Sequence, residues 1–259
     1  MTEITKTGRT KILDIPFDQV TMENAINLVI NRLIKTDRQE NKPLFIATPN
    51  PEMLLEANAN PHFKKILQIT DLNIADGFGI ILASKLTKNP LKSRVTSIDL
   101  LQKICEQAPA GTKIFLLGAM PGIAEKTAKI LKQQSPQIKI AGTYSGSPSE
   151  SEEILIRGLI NKSGAEILFV AFGSPKQELW LDRNLAGLNQ LKIAIGVGGA
   201  FDFVSGNRQR APRWMRKIGL EWLFRVIIEP ARLGRIFNAT IKFPLVFLKR
   251  QLIKTHKSK

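Results

Sequence analysis

Short apolar stretches alternate with helix-length stretches through most of this 259-residue chain, and this alternation restricts the possible fold more than any other feature. Strands are predicted near residues 44, 72, 113, 138, 166 and 193, with helical segments between them. Such alternation is typical of α/β proteins and predicts a doubly wound, mainly parallel, Rossmann-like sheet. A chain of this length can bury a sizeable core.

Polar or glycine-rich loops follow five of the predicted strands, where doubly wound sheets bind their ligands. These loops are residues 48–50, 76–77, 118–122, 173–178 and 196–202. Because the carboxyl ends of parallel strands meet at one edge of a sheet, the loops should lie together. Their common position indicates a functional site more strongly than any single loop does.

Asp76 is the best candidate for a catalytic group, because it directly follows the short strand LNIA. A carboxylate at a strand end, beside small polar residues, is well placed to act as a general base. An Asp-Gly pair also forms ordinary turns, and such a turn needs no catalytic role. Thr48 and Asn50 follow the preceding strand and could bind substrate, orient Asp76, or only satisfy the backbone of their loop.

The remaining loops offer groups that could hold a substrate. Gln177 and Glu178 could grip a sugar or a uracil edge, although a helix N-terminus favours glutamate for its dipole alone. Gly198 and Asp202 lie in the glycine-rich segment GVGGAFDF, which could admit a nucleotide or only form a tight bend. The glycines of 118–122 could likewise cradle a phosphate or only turn the chain.

The last fifth of the chain differs from the rest in charge. Residues 207–259 contain 14 Lys and Arg against two acids, whereas residues 1–206 contain 24 against 20. The basic segment has helical periodicity, with an apolar stripe that includes Trp214, Trp222 and Ile227. A basic amphipathic helix with tryptophans can bind an anionic membrane surface, or it can pack on the core with a solvated basic face. We therefore predict a catalytic core at 1–206 and a basic helical appendage at 207–259.

Several classes of site are excluded by the residues that the chain lacks. One cysteine, Cys105, allows no disulfide framework, and two histidines, His62 and His256, allow no HExxH zinc site. No D-x-D pair occurs that could hold a divalent metal on a nucleotide diphosphate. If the chain handles a diphosphate, arginines must offset the charge, and Arg225, Arg232 and Arg235 are the obvious supply. No metal and no cofactor is therefore expected.

The segments TPNPEM, NIADGFGI, FGSPKQELW, GVGGAFDF and RAPRWMRKIGLEWLFRVIIEPARLGRI together resemble the WecG/TagA/CpsF glycosyltransferases, glycosyltransferase family 26. The resemblance runs from about residue 12 to residue 236, with the motifs in family order. One departure is visible, since Ser97 stands where the family usually has glycine. The resemblance implies an inverting, metal-independent transferase that moves a sugar from a UDP-sugar to a polyprenyl-diphosphate-linked sugar at the cytoplasmic membrane face.

The same resemblance implies roles for individual residues. Asp76 matches the proposed general base, and Thr48 and Asn50 match neighbouring residues of the substrate site. Arginines in the appendage, matched by Arg225, Arg232 and Arg235, are implicated in diphosphate binding. In the teichoic-acid branch, N-acetylmannosamine passes to undecaprenyl-diphosphate N-acetylglucosamine. Self-association of the core is also implied, which makes a homo-oligomer possible.

The sequence leaves alternatives open for the donor sugar and for the class of protein. The donor could instead carry N-acetylmannosaminuronate, glucuronate or glucose, and a uronate would favour an extra cation such as Arg94 or Lys176. The basic end alone would also suit a nucleic-acid-binding protein or a catalytically idle membrane adaptor. The strand-end polar loops argue against nucleic acid as a partner.

The charged start, MTEITKTGRTK, predicts no secretory signal, and apolar runs fall short of the roughly 18 residues of a membrane span. We expect a cytoplasmic protein bound peripherally to the inner face of the cell membrane.

Overall fold

A parallel sheet of six strands forms the centre of the protein, in a computed structural model that describes residues 8–35, 42–229, 231 and 233–257. The strands lie in the order β4-β3-β8-β7-β5-β6. Their bounds are β3 Leu44–Ala47, β4 Leu72–Asn73, β5 Lys113–Gly118, β6 Lys139–Tyr144, β7 Ile167–Ala171 and β8 Ile193–Gly196. The predicted α/β class, the parallel pairing and all six strand positions are confirmed.

Helices cover both faces of the sheet, because the buried strands carry apolar side chains in both directions. Along β3, Leu44 and Ile46 join one core cluster and Phe45 and Ala47 the other. The helices before the last strand are α1 Met22–Ile34, α2 Pro51–Ala59, α3 Pro61–Ile69, α4 Phe78–Ser84, α5 Ser97–Gln107, α6 Ile123–Gln134, α7 Glu153–Ser163 and α8 Lys176–Asn184. α9, Ala200–Val204, follows β8. This is the doubly wound arrangement predicted from the sequence.

An antiparallel hairpin precedes the first helix and was not predicted. It pairs β1, Arg9–Ile12, with β2, Ile15–Asp18, and its apolar side chains join the core. Asp18 connects the hairpin to the main sheet, because its Oδ2 accepts a hydrogen bond of 2.9 Å from the backbone N–H of Asn73. The hairpin therefore covers the side of the sheet on which β4 is the edge strand.

Short helices make up the basic C-terminal segment. They are α10 Arg213–Lys217, α11 Glu221–Ile228, α12 Leu233–Phe237, a π-helical turn at Asn238–Lys242, and α13 Phe243–Lys257. Phe243 and Phe247 of α13 are buried in the same apolar cluster as α2, α3 and the hairpin. The proposed division at residue 206 therefore separates two parts that share a hydrophobic core. Within the described ranges, no helix is long and apolar enough to cross a membrane.

Candidate active site

Four neighbouring strands, β4, β3, β8 and β7, bring their carboxyl ends together at one edge of the sheet. The loops that follow them contact one another directly. Asp76 donates its backbone N–H to the carbonyl of Pro49 at 3.1 Å, and the Thr48 hydroxyl donates to the carbonyl of Gly196 at 3.0 Å. Gly198 donates its N–H to Oε1 of Gln177 at 3.0 Å. The convergence predicted for five loops is thus present for the four loops that follow these strands.

Asp76 is half-buried at the end of β4 and is held through one oxygen. Its Oδ2 accepts hydrogen bonds from the backbone N–H of Ser97 at 3.0 Å and from the Ser97 hydroxyl at 2.8 Å. Burial raises the pKa of the Asp76 carboxyl, the Ser97 hydrogen bonds oppose that rise, and Glu221 and Arg94 make smaller, opposite contributions. A carboxylate with a raised pKa is a stronger base, which suits the removal of a proton from a hydroxyl.

Thr48 and Asn50 lie beside Asp76 but direct their side chains at backbone groups. Thr48 is buried and ties the β3 loop to the β8 loop through the Gly196 carbonyl. Asn50 caps α2, since its Oδ1 accepts the N–H of Met53 at 3.1 Å. Of the three roles left open by the sequence, the structure displays contact with backbone groups. Binding of a substrate and orientation of Asp76 remain proposals.

Gln177 and Glu178 are buried at the start of α8 and contact each other. The Gln177 amide donates to Oε1 of Glu178 at 2.7 Å, and Oε2 of Glu178 has no hydrogen-bond partner in the described part of the chain. Burial raises the pKa of the Glu178 carboxyl. A Cβ at Gly196 would lie 2.8 Å from the Gln177 amide nitrogen, so glycine is needed for this close approach. The pair therefore holds the β8 loop in place.

A cavity of about 460 Å³ is lined by Phe78, Ile81, Arg94, Arg213 and Arg216. Phe78 follows Asp76 by two residues, and Arg94 is close enough to lower the pKa of the Asp76 carboxyl. The basic segment packs tightly against Phe78, since a Cβ at Gly219 would lie 2.6 Å from the Phe78 ring. Gly219 also has a φ of +79°, which favours glycine.

Three guanidinium groups line this cavity, and such a set of cationic donors suits the binding of an anion. Arg94 donates to Glu221 at 3.5 Å and to the carbonyl of Arg216 at 3.4 Å, so it is partly engaged. Nε of Arg216 is buried and donates to no described group. Burial, with repulsion from Arg210, lowers the pKa of Arg216. A bound phosphate or diphosphate would accept these donors and offset their charge.

Of the arginines predicted from the appendage, Arg225 and Arg235 are described by the structure, and neither of them lines this cavity. Arg225 donates to Glu221 at 2.8 Å and lies over the Phe203 ring at 5.3 Å from its centre. Arg235 pairs with Glu52 at 2.7 Å and is largely exposed. Arg232 lies outside the described residues. The structure thus places Arg94, Arg213 and Arg216 in one cavity. Arg225 lies next to this group, because it shares the Glu221 carboxylate with Arg94, whereas Arg235 is paired with Glu52.

Asp202 and Gly198 flank the β8 loop and contribute to its shape. Asp202 accepts a hydrogen bond from the Asn207 amide at 3.0 Å and lies 3.9 Å from Nε of Arg208. It therefore fixes the point where the basic segment leaves the core. Gly198 has a φ of +53° and presents its N–H to Gln177.

Arg213 and Arg216 were not predicted as site residues from the sequence, and Ser97 was noted only as a departure from the usual glycine of the family. The signal for the two arginines was their spacing of three, which places both on one side of a helical turn. No local signal linked Ser97 to Asp76, because their contact joins residues 21 positions apart in the chain. Among the residues that the structure describes, no three His, Cys, Asp or Glu side chains form a candidate metal site.

Comparison with known proteins gives a consistent result. The model of the "Glycosyl transferase WecG/TagA/CpsF family" matches residues 10–257. A protein of Bacillus spizizenii named N-acetylglucosaminyldiphosphoundecaprenol N-acetyl-beta-D-mannosaminyltransferase is 33% identical over 225 residues, covering 86% of both chains. A protein of the same name from Staphylococcus aureus strain MRSA252 is 31% identical over 256 residues, covering 97% of this chain and 98% of its own.

Proposed function

Because the chain belongs to the WecG/TagA/CpsF family of glycosyltransferases, we propose that it transfers N-acetylmannosamine from UDP-N-acetylmannosamine to undecaprenyl-diphosphate-linked N-acetylglucosamine. The names of the Bacillus and Staphylococcus relatives support this donor and acceptor. The product would enter a teichoic-acid-like polymer of the cell surface. The protein is a glycosyltransferase, and the proposal concerns its substrates and the way its residues act.

The observation that carries the mechanism is a half-buried strand-end carboxylate near a cavity with three arginines. Asp76 takes the proton of the acceptor hydroxyl as that oxygen bonds to the anomeric carbon of the donor. The bond from this carbon to the phosphate oxygen breaks, and UDP leaves with the electron pair. Attack from the face opposite UDP inverts the anomeric configuration. Proton transfer of this kind contributes about 10²–10⁴-fold to a rate.

The charge that develops on the leaving diphosphate is offset by guanidinium groups instead of a metal ion. Arg94, Arg213 and Arg216 are best placed for this, because they share the cavity that follows the Asp76 loop. Arg225 and Arg235 remain proposed ligands of UDP or of the lipid diphosphate. To bind a diphosphate, Arg225 would give up its hydrogen bond to Glu221, and Arg235 its hydrogen bond to Glu52. Arg232 is proposed with them from the family resemblance alone.

The experiment that tests the proposed function is sugar transfer to a short-chain polyprenyl-diphosphate N-acetylglucosamine. A panel of UDP-sugars is compared with chelator present and absent. Turnover with UDP-N-acetylmannosamine, unaffected by chelator, is expected. If the enzyme prefers a UDP-sugar that carries N-acetylmannosaminuronate, glucuronate or glucose, that sugar is the donor and the proposed N-acetylmannosamine donor is wrong. A requirement for a divalent cation would overturn the metal-independent mechanism.

Replacing Arg216 with alanine should lower kcat/KM for the UDP-sugar by roughly 10- to 100-fold, because a charge-assisted hydrogen bond to phosphate is lost. Arg213→Ala should act in the same direction. Arg216→Lys keeps the charge but loses the bidentate geometry, so its loss should be smaller. Arg157→Ala, on α7, is the matched control and should leave transfer unchanged. If Arg216→Ala is as active as Arg157→Ala, Arg216 and the cavity that it lines do not take part in sugar transfer.

The exposed surface of the basic segment supports peripheral binding to an anionic membrane at its cytoplasmic face. Trp214 is 61% exposed and Ile227 71% exposed, on α10 and α11. Such side chains can insert among lipid headgroups while the surrounding basic residues attract anionic lipids. Ile227→Glu should therefore reduce flotation with anionic vesicles several-fold. Ile154→Glu is the matched control, since Ile154 is 78% exposed on α7 of the core. Equal flotation of the two variants would contradict binding through this segment.

A further inference from the structure

Ser97 contacts the Asp76 carboxylate through two of its own atoms, and both contacts fall on Oδ2. The backbone N–H donates at 3.0 Å and the hydroxyl at 2.8 Å. Oδ1 of Asp76 has no hydrogen-bond donor among the residues that the structure describes. One oxygen of the carboxylate is thus fixed by the protein, and the other is available to a substrate.

We propose that Ser97 is a positioning residue whose hydroxyl holds Oδ2, so that Oδ1 is the atom that takes the proton from the acceptor. This inference rests on the proposed role of Asp76 as the base. Two donors on one oxygen restrict rotation of the carboxyl group about the Cβ–Cγ bond. A fixed carboxylate loses less freedom when the acceptor hydroxyl arrives, which favours the reacting geometry.

The position of Ser97 is itself well determined. It is the first residue of α5, directly after the cap Thr96, and its side chain is buried. Asp99, in the same turn, accepts two hydrogen bonds from Arg210, at 2.6 and 2.7 Å. Arg210 also donates to the Thr96 hydroxyl at 3.2 Å. The basic segment that carries Arg213 and Arg216 is therefore tied to the turn that holds the base.

The charged groups that act on the Asp76 carboxylate come from three elements. Arg94 precedes α5 and favours the ionised form, Glu221 of α11 opposes it, and Arg210 of the basic segment interacts with it favourably. All of these groups belong to other residues, so removal of the Ser97 hydroxyl does not delete any of them. Loss of the hydroxyl then leaves the ionised form with one donor fewer, and the pKa of Asp76 rises further.

The test is the pH dependence of kcat/KM for sugar transfer. Because the base must be ionised, a higher pKa moves the acidic limb of the profile to higher pH. We expect a shift of about one pH unit in Ser97→Ala and in Ser97→Gly, on the scale of a hydrogen bond to a charged group. Ser97→Thr keeps a hydroxyl and should keep the acidic limb in the wild-type position. Ser163→Ala, on α7, is the control for loss of a serine hydroxyl elsewhere.

The outcomes separate this inference from the proposed function. If Asp76→Asn is inactive but Ser97→Ala and Ser97→Gly have the wild-type profile, the positioning role is wrong and the base stands. If Asp76→Asn keeps full activity, the base itself is wrong. A uniform loss of activity at all pH values in both Ser97 variants, with no shift of the limb, would indicate a purely structural role and overturn the inference.

Discussion

Sugar transfer by the Asp76→Asn variant should be slower by about 10²–10⁴-fold, which is the contribution that a general base makes to a reaction. Asparagine has nearly the same shape, and its amide oxygen can still accept the Ser97 hydrogen bonds. It cannot take a proton from the acceptor hydroxyl. The measurement is the initial rate with saturating donor and acceptor, and near-full activity would exclude Asp76 as the base.

The same variant should not be less stable than the wild type at neutral pH. Burial raises the pKa of the Asp76 carboxyl above its ordinary value of 3.8, so the folded protein holds the proton more tightly than the unfolded chain. The carboxyl therefore lowers the free energy of unfolding as pH rises above that ordinary value, until the folded pKa is passed. Asparagine removes this dependence. Thermal denaturation between pH 4 and pH 8 should show a flatter profile for the variant.

Asp182→Asn is the matched control for this substitution, because Asp182 lies on α8 with a side chain that is one-third exposed near His62. It should leave the transfer rate unchanged. A variant of Asp76 that loses activity together with several degrees of melting temperature would point to a structural carboxylate and not to a base.

Phe247→Ala should destabilise the protein by about 3–5 kcal/mol, the usual cost of removing a buried phenylalanine. The Phe247 side chain is 3% exposed and stacks on Phe243, with ring centres 6.3 Å apart. Both rings belong to the core cluster that also contains Phe17 and Phe63. The cavity left by alanine would therefore lie between α13 and the catalytic core. The change in the free energy of unfolding is measured from the shift in the midpoint of urea unfolding, with the same denaturant dependence (m value) used for both proteins.

Leu245→Ala provides the matched control, since Leu245 is on the same helix and is 63% exposed. Its effect should stay within about 0.5 kcal/mol, as for most surface substitutions. Equal destabilisation by the two variants would mean that α13 does not pack on the core. The prediction also bears on truncation after Gly206, which removes both phenylalanines and should give a core of lowered stability.

The sequence by itself determined the class of fold and predicted where the candidate site lies. The alternation of short apolar stretches with stretches of helical periodicity is a local property of the sequence. It therefore predicts strands and helices without knowledge of how they pack. The rule that ligands lie at the carboxyl ends of parallel strands then selected the loops that contain Thr48, Asp76 and Gln177. The motifs of those loops also carried the family resemblance.

Only the tertiary structure decided which side chains share the site. Arg94 lies more than 100 residues before Arg213 and Arg216 in the chain, yet the three line one cavity. Arg225 and Arg235, which the sequence favoured as ligands of a diphosphate, do not line that cavity and pair with Glu221 and Glu52. The contact of Ser97 with Asp76 likewise joins separate loops. Periodicity determines the direction of a side chain within its own element, whereas cavities and ion pairs form where distant elements pack together.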